Sequence, residues 1–251
     1  MAMGGLLRLF ERGPEPAHLD VAHNGEVYRI AINRSSRSRR FTLRVRTASR
    51  DVLLTMPARA SLTSAREFAE RHSAWIGVRL ARLPRPVAFE PLAKAPLRGV
   101  DHTIVHRPAQ RGVVWVEAAA HGPLICVAGE RPHVARRVAD FLKREAMKDI
   151  EAAVFRHART IGVRPKRIAV RDTVSRWGSC SSSGRLSFSW RLILAPPYVL
   201  DYLAAHEVAH MVHMNHSPKF WAVVGRASPD VKRAEAWLKA HGASLHRYGA
   251  E

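Results

Sequence analysis

The 251-residue sequence predicts an α+β fold: a mainly β N-terminal region with one helix, then a helical C-terminal region around a small antiparallel sheet. Two observations carry this prediction. Apolar and polar residues alternate through much of the first 130 residues, which is typical of half-buried strands. From about residue 131 the apolar residues recur at helical spacing instead. The chain therefore divides into a leader at 1–20, predicted to be disordered, a β-rich region at 21–130 and a second domain at 131–251.

The β-rich region begins with three strand candidates, VYRIAIN, FTLRVRT and DVLLTMP, joined by the turn-like segments SSRSRR and ASRD. Ser64 and Glu67 have the spacing of a capping box, which predicts one helix through FAERHSAWIGVRLARL with Phe68 and Trp75 among its core residues. A proline-rich stretch follows. Three more short strands are predicted after it, at HTIVHR, GVVWVEA and PLICVAG.

The second domain opens with a long amphipathic helix that ends at Gly162. KRIAVRD is a strand candidate, and VSRWGSC and GRLSFSWRLIL form a predicted hairpin around the turn SSSG. Pro196 and Pro197 end the second strand and begin a helix, YVLDYLAAHEVAHMVHM. This helix carries the most informative stretch of the chain.

Charge and cysteine content limit the possible partners and the cellular location of the protein. The formal net charge of +20 and the pI near 11.4 favour polyanionic partners such as nucleic acid. However, 34 of the 41 basic residues are arginine, as expected from genome bias, and no nucleic-acid-binding motif accompanies them. Cys126 and Cys180 are not in a CxxC, and no membrane span or signal peptide is predicted. We therefore expect a cytoplasmic protein of undetermined oligomeric state.

Residues 206–216 read HEVAHMVHMNH, and the first five have the pattern H-E-x-x-H. On a helix, His206 and His210 are one turn apart on the same face, so both imidazoles can bind one Zn²⁺. Glu207 then lies beside the metal without binding it. There it can act as general base and acid on a zinc-activated water.

The third ligand has several candidates. His213 shares the helix face, but three histidines in a row about 10.5 Å long cannot converge on a tetrahedral ion. His216 can fold back to the metal if Met214 and Asn215 end the helix first, and Ser217-Pro218 then begins the next helix. The spacing to His216 equals that of metzincins, but His213 occupies the position of their glycine. We favour His216, with Asp230 and Glu235 as carboxylate alternatives.

The chain resembles the YgjP-like metallopeptidase family, which is related to the WLM and SprT-like zinc proteases. The resemblance lies in RWGSC, WRLILAP, the helix with HExxH, and NHSPKFW, and it extends over roughly 27–242. It implies a zincin-like peptidase domain with His206, His210 and His216 as zinc ligands and Glu207 as catalytic residue. The related families act on DNA-bound proteins, so the resemblance keeps a DNA-associated protease open by analogy.

Three further residues are candidates for a cleft or substrate site: Arg176, Trp177 and Trp190. The strand LSFSWRLIL is a candidate edge along which a peptide substrate extends. Cys180 as a nucleophile is rejected, because the histidines and Glu207 are better explained by metal. The leading hypothesis is thus a zinc metallopeptidase with a protein or peptide substrate. The alternative is a basic nucleic-acid-binding protein with a structural zinc, which needs His213 or Asp230 as a fourth ligand.

Overall fold

The computed structural model describes residues 17–46, 50–83 and 85–249. Its architecture is mixed α+β, and the described residues form six α-helices and three small sheets. The chain divides into two compact units, Met1–Leu83 and Pro84–Glu251. The predicted boundary at residue 130 falls inside the second unit. Among the helices of the described ranges, none combines the length and the apolar character needed to cross a membrane.

The first unit contains a four-stranded sheet in the order β1-β2-β4-β3. Its strands are β1 (His18–His23), β2 (Glu26–Ser35), β3 (Thr42–Val45) and β4 (Val52–Pro57). The three predicted strands are confirmed as β2, β3 and β4.

Strand β1 was not predicted. Residues 18–20 of the expected leader belong to it, while residues 1–16 lie outside the described residues. Asn24 and Gly25 join β1 to β2 at φ 48° and 80°, as a two-residue hairpin turn requires. This Asn-Gly pair was the signal that could have revealed the strand.

Two helices, rather than one, cover the sheet of this unit: α1 (Leu62–Arg71) and α2 (Ser73–Ala81). The predicted cap is wrong, because Ser61 is the N-cap and its hydroxyl accepts from the backbone N–H of Ser64 at 3.0 Å. The chain turns at His72, so helical spacing counted across this break assigns the wrong face to Trp75. That side chain is 46% exposed instead of buried.

The second unit begins with a four-stranded sheet in the order β5-β6-β8-β7. Its strands are β5 (Lys94–Leu97), β6 (Val100–His106), β7 (Val114–Glu117) and β8 (Leu124–Val127). The last three were predicted. Strand β5 was missed because it contains Pro96, which a strand accommodates at the edge of a sheet, where β5 lies.

The long helix α3 (Val134–Ile161) forms as predicted and ends at Gly162, whose φ of 83° suits a left-handed cap. Its core stripe is buried as expected: Val134, Val138, Phe141, Leu142, Ile150 and Val154. Three shorter helices follow it in the chain, α4 (Pro197–Ala209), α5 (Pro218–Ala227) and α6 (Val231–Leu245). Helix α4 contacts α3, α5 and α6, so it lies in the middle of the unit.

A small three-stranded sheet lies against α4. Its order is β10-β11-β9, with β9 (Arg167–Arg171), β10 (Gly178–Cys180) and β11 (Arg185–Ser189). The prediction of an antiparallel sheet is only half right, since β11 runs antiparallel to β10 but parallel to β9.

The predicted strand GRLSFSWRLIL also ends early. Trp190–Leu194 form a buried 3₁₀-helix instead of a strand. A short, continuous apolar run does not distinguish the two structures, because it has no polar face to set a period.

Arg191 in this 3₁₀-helix joins three segments of the second unit. The residue is 7% exposed, and its guanidinium donates to Asp172 at 2.9 Å and to the carbonyls of Leu245 and Tyr248 at 3.1 and 2.6 Å. We expect Arg191→Met to lower the free energy of unfolding by about 2–4 kcal/mol, because these acceptors lose their donor. Urea titration measures the change. The exposed Arg171→Met is the control, and equal losses in both variants would contradict the prediction.

Candidate metal centre

Helix α4 places His206 and Glu207 in its last turn, and His210 is its C-cap. Pro197 occupies the first turn, where a missing N–H costs no helical hydrogen bond. The helix ends at Ala209, five residues before the predicted end. Met211 and Val212 donate instead to carbonyls three residues back, which tightens the chain into a turn. Asn215, which was expected to help end the helix, does not adopt the left-handed conformation typical of helix ends, since its φ is not among the positive values of the described residues.

This early turn brings His216 back beside the helix. One ring nitrogen from each of His206, His210 and His216 lies within 4.8 Å of the other two. The Nε2 atoms of His206 and His216 are 3.1 Å apart. Two nitrogens bound to a tetrahedral Zn²⁺ at 2.0–2.1 Å are about 3.3 Å apart, so the donor set and its spacing fit this ion.

The tautomer of His210 also fits a metal site. Its Nδ1 lies 3.1 Å from the carbonyl oxygen of His213, which accepts a hydrogen bond only if Nδ1 carries the proton. The lone pair is then on Nε2, the nitrogen left for a metal. The backbone of the turn therefore leaves Nε2 of His210 free to accept a metal ion.

An aromatic residue from α5 supports all three imidazoles. Phe220 is fully buried, and its ring centroid is 4.5 Å from that of His210 and 4.9 Å from those of His206 and His216. Ser217 caps α5 as predicted, its hydroxyl accepting from the N–H of Phe220. No pattern in the sequence indicates this supporting role for Phe220.

His213 faces elsewhere. Its side chain lines a separate cavity of about 370 Å³, together with Val212, Val223 and Arg226. Its contribution to the centre is the backbone carbonyl that fixes His210. In the part of the chain that the structure describes, the cluster of potential metal ligands consists of His206, His210 and His216 alone, so neither His213 nor Asp230 joins it.

Glu207 lies beside the histidines and is 5% exposed. Burial raises the pKa of its carboxyl to about 7, although the charge of Arg176 acts in the opposite direction. Strand β10 makes room for this side chain: a Cβ on Gly178 would lie 2.5 Å from its Oε1. Glycine within a strand signals such a close approach, and Gly178 in RWGSC is a signal of this kind.

The raised pKa of Glu207 makes the stability of the metal-free protein depend on pH. The buried carboxyl contributes stability that is fully present below pH 4.5 and is lost as the pH rises through about 7. Glu207→Gln cannot titrate. From about pH 4.5 to about pH 8, we expect the metal-free wild type to lose about 3 kcal/mol relative to this variant. Urea unfolding with a chelator present checks this, and parallel pH profiles would contradict it.

The candidate cleft residues have different environments. Arg176 is exposed and close enough for its charge to act on Glu207. Trp177 packs on α6, with its ring stacked 5.1 Å from that of His246. Trp190 is 3% exposed and belongs to the hydrophobic core, so its side chain is not open to solvent in a cleft. Burial, with Glu207 nearby, raises the pKa of the Cys180 thiol, which agrees with rejecting a thiolate nucleophile.

The predicted substrate edge is also corrected. Strand β11, the candidate edge, is the central strand of its sheet and pairs on both sides. Among the described strands, β10 is the edge nearest α4 and pairs with β11 alone. Sheet order arises from tertiary pairing, which alternation within one strand does not encode.

A family model that covers most of the chain places it in the class of metallopeptidases. The model described as "YgjP-like, metallopeptidase domain" matches residues 39–241. The chain therefore belongs to the YgjP-like metallopeptidase family.

Other comparisons add less. No curated protein matches the chain significantly. Among solved structures, the metallopeptidase zymogen abylysin from Pyrococcus abyssi is similar to 39% of this chain. The match covers 97% of that protein, with 19% identity and a TM-score of 0.34.

Proposed function

We propose that the protein is a zinc-dependent peptidase in which His206, His210 and His216 hold the ion and Glu207 transfers the protons. The convergence of three imidazole nitrogens within 4.8 Å, next to a buried carboxyl, is the observation that carries this proposal. When bound, the metal supplies Lewis acidity for the scissile carbonyl and for water.

Glu207 would act as general base and then as general acid. As a base it accepts a proton from the attacking water, and as an acid it returns that proton to the leaving amine. The pKa of about 7 in the metal-free chain suits both roles, and a bound cation would lower it toward the ionised, basic form. Arg176, exposed beside this carboxyl, remains a candidate for contact with the substrate or the oxyanion.

A peptide substrate would extend along β10. This three-residue strand lies against α4, and its outer side pairs with no other described strand. Addition of a strand supplies main-chain hydrogen bonds irrespective of the peptide's side chains. Such binding is compatible with a broad class of unfolded or extended substrates.

The first experiment measures zinc content and cleavage of an unfolded protein such as casein. Zinc near one equivalent is expected, with cleavage that a chelator abolishes and added Zn²⁺ restores. Cleavage that persists in metal-free protein would refute the proposal.

The alternative with a structural zinc is less well supported. A closed structural site has four protein ligands, whereas the described residues bring together three histidines. No described contact favours nucleic acid as the partner, and the net charge alone does not distinguish the two functions.

Gly178 provides a further test of the role of Glu207. The Cβ of Gly178→Ala would collide with the end of the Glu207 side chain, so the carboxyl must move. A displacement of about 1 Å costs roughly 100-fold in rate, and we expect that loss in kcat with zinc retained. Gly225→Ala is the matched control, because its Cβ meets nothing within 4 Å. Equal kcat in both variants would contradict the prediction.

A further inference from the structure

Tyr202 connects a proposed metal ligand to α6. It lies one turn before His206 on α4, and its side chain is 4% exposed. Its hydroxyl donates to Oε1 of Glu235 at 2.9 Å, and its oxygen is 3.4 Å from Nδ1 of His206. The three side chains form a hydrogen-bonded series that leads from α6 to the metal centre.

The carboxylate of Glu235, at one end of this hydrogen-bonded series, determines where the protons of the series lie. A carboxylate can only accept, so the single hydroxyl proton of Tyr202 points to Glu235. The tyrosine oxygen then presents a lone pair to His206, and Nδ1 of His206 must carry a proton to satisfy it. The lone pair of His206 is left on Nε2, which is the nitrogen that lies 3.1 Å from Nε2 of His216.

We propose that Glu235, acting through Tyr202, is a positioning residue that holds His206 in the tautomer with a free Nε2. This inference rests on the proposed metal site and assigns to α6 a role in it. A ligating histidine commonly donates its second ring nitrogen to a carboxylate or carbonyl. His210 meets this requirement with the carbonyl of His213, whereas His206 depends on two side chains from different helices.

The same contacts argue against Glu235 as a direct ligand. Its carboxylate is not part of the donor cluster in the described ranges, and its Oε1 accepts from Tyr202. Without the carboxylate, the tyrosine proton has His206 as its remaining partner. Donation to Nδ1 would then move the histidine proton to Nε2 and oppose metal binding.

The test compares zinc dissociation constants of four proteins by competition with a chromophoric chelator: wild type, Tyr202→Phe, Glu235→Ala and the double variant. Each single change is expected to weaken binding about 10–100-fold. Because Glu235 acts through the hydroxyl, its removal should have no further effect once that hydroxyl is absent. If Glu235→Ala weakens zinc by the same factor in both backgrounds, a direct or merely structural role replaces the proposal.

The tautomer can be read in the metal-free protein. Long-range ¹H–¹⁵N spectra should show Nδ1 of His206 protonated in the wild type and Nε2 protonated in Glu235→Ala. Protonated Nε2 in the wild type would overturn the inference. This measurement needs neither zinc nor cleavage. If the protein failed to bind zinc, the proposed function would be refuted. The tautomer of His206 would still decide whether Glu235 has the positioning role.

Discussion

Glu207→Gln is expected to reduce the rate of peptide hydrolysis by about 10²–10⁴-fold while the protein retains its zinc. The amide has nearly the shape of the carboxyl and fits the same space against Gly178, but it cannot accept the proton of water. The three proposed ligands are unchanged. The loss should therefore appear in kcat, with substrate binding little affected.

The measurement pairs steady-state cleavage with metal analysis of the same samples. Glu67→Gln, an exposed position on α1, is the control for the chemical change itself and should retain full activity. Unimpaired hydrolysis by the Glu207 variant at full zinc occupancy would remove this residue from the mechanism.

His216→Ala should remove zinc as effectively as His206→Ala. Loss of one of three imidazoles leaves two protein ligands, so affinity should fall by more than the roughly 10–100-fold expected for a supporting residue such as Glu235. His213→Ala is the matched control three residues away. Its side chain lines another cavity and only its backbone carbonyl holds His210, so zinc should remain bound.

Dialysis against buffered zinc followed by metal analysis distinguishes these variants. If His216→Ala retained zinc and Glu235→Ala lost it, the third ligand would be Glu235 on α6 and not His216. Loss of zinc in His213→Ala would show that the turn between α4 and α5 differs from the one described.

Local patterns in the sequence predicted the parts of the structure that depend on few long-range contacts. The stripe of α3 and the position of His206 and Glu207 on a helix follow from helical spacing. Steric reasoning also favoured His216 over His213, because a straight row of histidines cannot surround one ion. The role of His206, His210 and His216 as metal ligands remains a prediction until metal is measured.

Other features depend on tertiary structure that the sequence pattern does not contain. Trp190 is in a continuous apolar run, which suits a strand, a 3₁₀-helix or a cleft wall equally well. The order β10-β11-β9 and the contact of Glu235 with Tyr202 join segments that are distant in the chain. The end of α4 at Ala209 results from the turn it enters rather than from Asn215, the residue that carried the expected signal.

Phe220 lies in the first turn of the ten-residue helix α5, and His216 directly precedes Ser217, the N-cap of that helix. Phe220 packs against the imidazoles, and His216 supplies one of the three clustered ring nitrogens. If α5 opened by local unfolding, both would leave together, and the remaining two histidines would face solvent on one side. The residence time of a bound ion would then be limited by the lifetime of this single helix, so the kinetics of metal exchange become a property of α5 as much as of the ligands.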